Sequence, residues 1–128
     1  MFPFLATNTV PLNFLYEANS AILKAGAFNS ICDTHNVKKI AQHSHLYTSE
    51  KLVENFPGRS FKIEHTITYN PKEFKKLNIT KANVSCRNFK HNVVQVKQKL
   101  KLKDGGETYL FATTDKNEKP VLIVCAKV

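Results

Sequence analysis

From Phe61 to Tyr69 the residues take strict turns: Phe61, Ile63, His65, Ile67 and Tyr69 alternate with Lys62, Glu64, Thr66 and Thr68. A helix cannot hold every second side chain on one side, so this stretch predicts a β-strand with one face buried. A half-buried strand needs a sheet, and the apolar face of a sheet needs a covering layer. Asn70-Pro71 ends the strand, and Pro71 to Leu77 predicts one helical turn. A less regular strand comes next, through Ala82, Val84 and Cys86. Asn92 to Lys103 reads as a long strand that reverses at Asp104-Gly105-Gly106-Glu107, a two-residue hairpin signal. In that register Leu100, Leu102, Tyr109 and Phe111 share one face, and Lys97, Lys99, Lys101 and Lys103 share the other. A slip by one residue would destroy the agreement. Asp115 to Pro120 makes a second turn, and Val121 to Val128 is the closing strand.

Upstream the spacing changes. Leu12, Leu15, Tyr16, Ile22 and Leu23 recur at helical intervals among four alanines, which predicts a helix over 11–26 ended by Gly26. Val37, Ile40, Ala41 and Tyr47 predict a second helix, capped by Asp33 or Thr34. Ser49 to Phe56 predicts a third, capped by Thr48 and stopped by Pro57-Gly58. With 128 residues the chain fits one domain with a substantial core. The expected architecture is α+β: N-terminal helices packed on a curved antiparallel sheet of about five strands. Within this single domain, 1–10 is an arm carrying Phe2, Phe4 and Leu5, 11–57 is helical, and 61–128 is the sheet.

Charge is concentrated. The chain has 19 Lys and Arg against 10 Asp and Glu, a net +9. Residues 1–60 hold five basic and four acidic side chains, and residues 104–128 hold three and four. Residues 61–103 hold eleven basic and two acidic, so this segment supplies the whole excess. Such a region attracts anions; the simpler reading is a solvated face that keeps the protein soluble.

The element order is similar to the cystatin-like and nuclear-transport-factor-2-like cone folds. Glu50-Lys51-Leu52 ending a short helix, then Lys62-Ile63-Glu64-His65-Thr66-Ile67-Thr68 as a strand, resembles a step in nuclear transport factor 2. The resemblance covers about residues 49–128 and implies a curved sheet around a helix. Members of that family include transport adaptors, secretion-system subunits, isomerases and dehydratases.

The candidate chemistry divides by residue type. Lys97, Lys99, Lys101 and Lys103, joined by Lys90 and Arg87, would form a row tracking a phosphate backbone. Against this, the cross-strand neighbours Thr108, Leu110 and Ala112 offer no ring for base stacking. Edge lysines also simply discourage aggregation. His65, between Ile63 and Ile67, is a weak candidate general base if a cone interior also receives Tyr69, Tyr109 and Cys86. No carboxylate falls on an inward position of the meander, since Glu64 and Glu73 look outward, and a lone His on an apolar face is more often a bonded core residue. Cys32, Asp33, His35, His43 and His45 crowd together, but their spacing does not give the paired ligands of a zinc site. Neither a metal nor a cofactor is expected, and Gly-x-Ser-x-Gly, His-Glu-x-x-His and phosphate-binding loops are missing.

The sequence therefore points first to a non-catalytic binding or assembly protein, engaging an acidic protein or a second copy of itself as a homodimer. Non-specific nucleic-acid binding is the alternative, and a small isomerase-like or dehydratase-like enzyme using His65 the third. The longest apolar run, Val121 to Ala126, is too short for a bilayer. The first residues lack a basic leader, and three widely spaced cysteines suit a reducing compartment, so a cytoplasmic location is expected.

Overall fold

A computed structural model describes residues 11–18, 37–40, 46–54 and 56–128. Among them are seven strands: β1 (Phe14–Ala18), β2 (Lys38–Lys39), β3 (Leu46–Ser49), β4 (Gly58–Thr68), β5 (Asn83–Arg87), β6 (Thr108–Thr114) and β7 (Pro120–Lys127). Helix α1 (Pro71–Lys75) comes after β4, and α2 (Val93–Leu100) joins β5 to β6. All seven strands form one sheet in the order β2-β3-β1-β4-β7-β6-β5. Every pairing is antiparallel except β5 with β6, which run parallel across α2. A parallel pair needs such a crossover.

This architecture overturns the expected helical layer before a five-stranded meander. Leu15 and Tyr16 are both fully buried, in different apolar clusters. A strand buried on both faces mimics the i, i+3, i+4 pattern of Leu12, Leu15 and Tyr16. The second expected helix gives way to β2 and β3 where it is described. The third fails because Thr48 does not cap. Its Oγ1 accepts from the Leu12 amide at 2.9 Å and donates to the Phe14 carbonyl at 2.6 Å, joining β3 to the chain beside it. The N-terminal arm and residues 19–36 and 41–45, including Cys32, Asp33, His35, His43 and His45, lie outside the described residues.

The alternation that predicted β4 is real but interrupted. Ile63 pairs with Cys125 and His65 with Val124, leaving Glu64 as a bulge. An extra residue reverses the faces beyond it. Phe61 and Ile63 therefore join Leu15, Phe111, Ile123 and Cys125 on one face. Ile67 and Tyr69 join Leu110, Ala112, Leu122 and Val124 on the other, beneath Phe74 of α1 and Val96 and Leu100 of α2. On the first face the Phe61 ring lies 5.0 Å from both Tyr109 and Phe111.

Residues 92–103 form helix α2 rather than a hairpin arm. The Asn92 side chain accepts from the Gln95 amide, and the Gln95 side chain accepts from the Asn92 amide, both at 2.9 Å. This reciprocal cap satisfies two amides that the first turn leaves open. Val96 and Leu100 face the sheet, and Lys101 ends the helix in the left-handed conformation. Gly105-Gly106 then belongs to the loop between α2 and β6.

The sheet is strongly curled. Between β1 and β5 stand β4, β7 and β6, so a flat sheet would separate them by roughly 19 Å. Yet Glu17 of β1 is hydrogen-bonded to Arg87 of β5. No helix among the described residues is long and apolar enough to cross a membrane.

Candidate nucleic-acid interface

Helices α1 and α2 lie side by side over one sheet face, and the seam between them is a groove of about 400 Å³. Asn70 opens α1: its side chain accepts from the Lys72 amide at 2.9 Å, and Pro71 occupies the first turn without needing a donor. This start buries Phe74 and leaves Lys72 and Lys75 exposed. Phe74, Ile79 and Leu100 supply apolar lining, and Lys72, Lys75, Lys99 and Lys101 surround it with four cations. Among the described residues no acidic side chain lines the groove. Glu73, on the same short helix, is paired with Lys76 at 3.3 Å.

Lys99 carries the groove onward to an aromatic cluster. Its Nζ lies 5.3 Å from the centre of the Tyr69 ring, and Lys90 Nζ lies 5.8 Å from the same ring. Phe89 meets Tyr69 edge-on at 4.9 Å, and His91 does so at 5.6 Å. The Tyr69 hydroxyl and His91 Nδ1 share a hydrogen bond of 3.0 Å. Tyr69 is buried, whereas Phe89 and His91 are half-buried. Burial pushes the Tyr69 hydroxyl above its usual range, and the neighbouring Cys86 adds to the shift. The loop carrying Phe89 to His91 is tied down at its start. Thr113 Oγ1 donates to the Arg87 carbonyl at 2.7 Å and Thr114 Oγ1 to the Asn88 carbonyl at 2.6 Å.

The six cations expected to form one row take separate places. Lys99 and Lys101 line the groove and Lys90 stands at its aromatic end. Lys97, two residues from Lys99, points about 200° away around the helix. Its Nζ lies 3.0 Å from both Asp104 carboxylate oxygens. Lys103 forms a backbone bridge with Lys81 outside the groove. Arg87 is committed elsewhere: its Nε donates to Glu17 Oε2 at 3.1 Å, and its NH2 group binds the same oxygen. Arg59 binds the other oxygen, with Nε at 2.8 Å. Burial alone would raise the Glu17 carboxyl, but the hydrogen bonds and charges of Arg87 and Arg59 hold it below its ordinary value.

His65 does not line an interior. The bulge at Glu64 leaves it exposed opposite Val124, without a hydrogen-bond partner among the described residues. Tyr69 and Cys86 pack on the helix-covered face and Tyr109 on the other, so the expected constellation is not assembled. Among the described residues no group of three His, Cys, Asp or Glu side chains is placed to hold a metal. Sequence reasoning missed Lys72, Lys75, Tyr69, Phe89 and His91 as a set. The one legible signal was Phe89-Lys90-His91, rings interleaved with a cation directly before the Asn92 cap. A second groove of about 480 Å³ lies beside β3, where Lys38 and Lys51 stand with Glu50 and, among the described residues, no aromatic ring lines the wall.

Residues 14–57 match the description of a ferredoxin-like domain, and residues 58–127 match a THUMP domain-like family. The boundary falls where β4 begins. The crystal structure of a presumed methyltransferase from Porphyromonas gingivalis W83 is similar over 94% of this chain, with TM-score 0.83 and 36% sequence identity. The chain spans 32% of that protein's length. No curated protein matches the sequence. These matches replace the expected likeness to the nuclear-transport-factor-2-like and cystatin-like cones.

Proposed function

The chain belongs to the THUMP domain-like family, and from that premise we propose that it is an RNA-docking module. The groove between α1 and α2 takes the backbone of a single-stranded segment, and the Phe89–His91 end takes a base. One observation carries this reading: among the described residues, four lysines and no acid line a groove that runs, through Lys99, into a half-buried aromatic cluster. Lysines alone serve any polyanion. Rings placed beside them add stacking, which unpaired bases offer and duplexes do not. Domains of the THUMP kind often bind RNA, which supports the same choice. An acidic protein or a second copy would meet the lysines but leave the rings without a role. The similar protein is a presumed methyltransferase of which this chain matches about a third. In this proposal the chain therefore holds RNA for a methyl-transfer centre outside these residues.

Fluorescence anisotropy with a labelled single-stranded oligoribonucleotide tests it. Four backbone contacts give log K falling against log salt with a slope of about −3. Combined Lys72→Glu and Lys99→Glu substitution should abolish binding at low salt, and a duplex of equal length should bind more weakly. Absence of saturable binding at low salt, or affinity indifferent to both substitutions, refutes the proposal.

A further inference from the structure

We propose that Glu17, in the ferredoxin-like stretch, is a positioning residue for the aromatic end of the groove, although it lies outside the THUMP-like match. The inference rests on the docking role proposed above, and its structural part is measured without RNA. β5 is the edge of the sheet, with β6 as its only strand neighbour among the described residues. Its last residue, Arg87, leads through Asn88, which has a positive φ of 51°, directly into Phe89, Lys90 and His91. From the β6 side, Thr113 and Thr114 hold two carbonyls at this corner. Glu17 supplies the hold from across the curl, gripping the Arg87 guanidinium through Nε and NH2.

The position of Glu17 is itself fixed. A Cβ on Gly58 would lie 2.0 Å from the Glu17 carbonyl oxygen, so β1 and β4 approach closely only because residue 58 is glycine. Arg59, the next residue, occupies the second carboxylate oxygen. Glu17 is 7% exposed and its carboxylate holds both guanidiniums, so freeing Arg87 releases the tether from across the curl and leaves the loop held only from the β6 side by Thr113 and Thr114 among the described residues. The two arginines stand at different points of the chain. Arg59 continues along β4, while Arg87 begins the loop that bears the rings.

That difference makes the test. Amide hydrogen exchange is measured in the unmodified chain and in the Glu17→Gln, Arg87→Gln and Arg59→Gln variants. Glu17→Gln and Arg87→Gln should each speed exchange at residues 88–91 by roughly tenfold relative to the rest of the sheet. Arg59→Gln should leave residues 88–91 at the exchange rate of the unmodified chain. If Glu17→Gln does not fold, the contrast between the two arginine variants decides. Uniform acceleration across the sheet in both, or no change at 88–91 in Arg87→Gln, overturns the proposal. A second arm measures affinity for the single-stranded oligoribonucleotide. Arg87→Gln should weaken binding several-fold with an unchanged salt slope, since Arg87 touches no phosphate in this scheme. Faster loop exchange in a chain that binds no RNA would leave Glu17 as the positioning residue and remove the docking role. A shallower slope in Arg87→Gln would make Arg87 a direct contact and overturn the positioning role.

Discussion

Lys97 and Lys99 sit two positions apart on α2 and meet different partners: Asp104 takes one, and the Tyr69 ring and the groove take the other. Replacing Lys99 with Gln should weaken RNA binding and make the salt slope shallower by about 0.7, the share of one contact to a single strand. Lys97→Gln should change both less, because its charge is already neutralised. Phe89→Ala should cost about 1–3 kcal/mol of affinity for a single strand, read by anisotropy, and leave duplex binding nearly unchanged. The identities of these cations were plain in the sequence, as was their concentration in 61–103. Their directions were not. Lys97, Lys99, Lys101 and Lys103 repeat every second residue, which reads as a strand face. Val93, Val96 and Leu100, at i, i+3 and i+7, carried the competing helical pattern, and the Asn92–Gln95 cap resolves it.

Elements show the same division between what local chemistry announces and what packing decides. β4, α1, β5 and β7 were legible, because Asn70-Pro71, the alternating residues and the closing run of Val121–Cys125 signal them directly. β1 and β3 were not, since strands buried on both faces carry no period of two. The parallel pairing of β5 with β6 was hidden because it depends on α2 being a helix. Asn92→Ala removes the reciprocal cap and should destabilise the fold by about 1 kcal/mol in urea denaturation. Gly58→Ala should destabilise it markedly, because the Glu17 carbonyl leaves a Cβ no space.

At the scale of the whole molecule, one buried carboxylate joins three strands of a curled sheet. Glu17 titrates below its ordinary range, so the unfolded chain takes up its proton at a higher pH than the folded one. Its stabilising contribution is full above the unfolded carboxylate range and is lost as pH falls through the depressed folded value. Thermal stability should therefore decline on acidification through and below about pH 4, and Glu17→Gln should flatten that decline while lowering stability at neutral pH. The sequence displayed the charge excess but could not show that Arg87 is engaged by Glu17, because 70 residues separate them. A photo-crosslink puts the RNA-docking role to its most direct test. A single-stranded oligoribonucleotide bearing thiouridine is bound, irradiated and mapped by peptide mass spectrometry. Cross-links on the peptides containing Tyr69, Phe89 to His91 and Lys99 are the expected result. Cross-links confined to the groove beside β3, or scattered over exposed lysines without reaching the aromatic cluster, would contradict it.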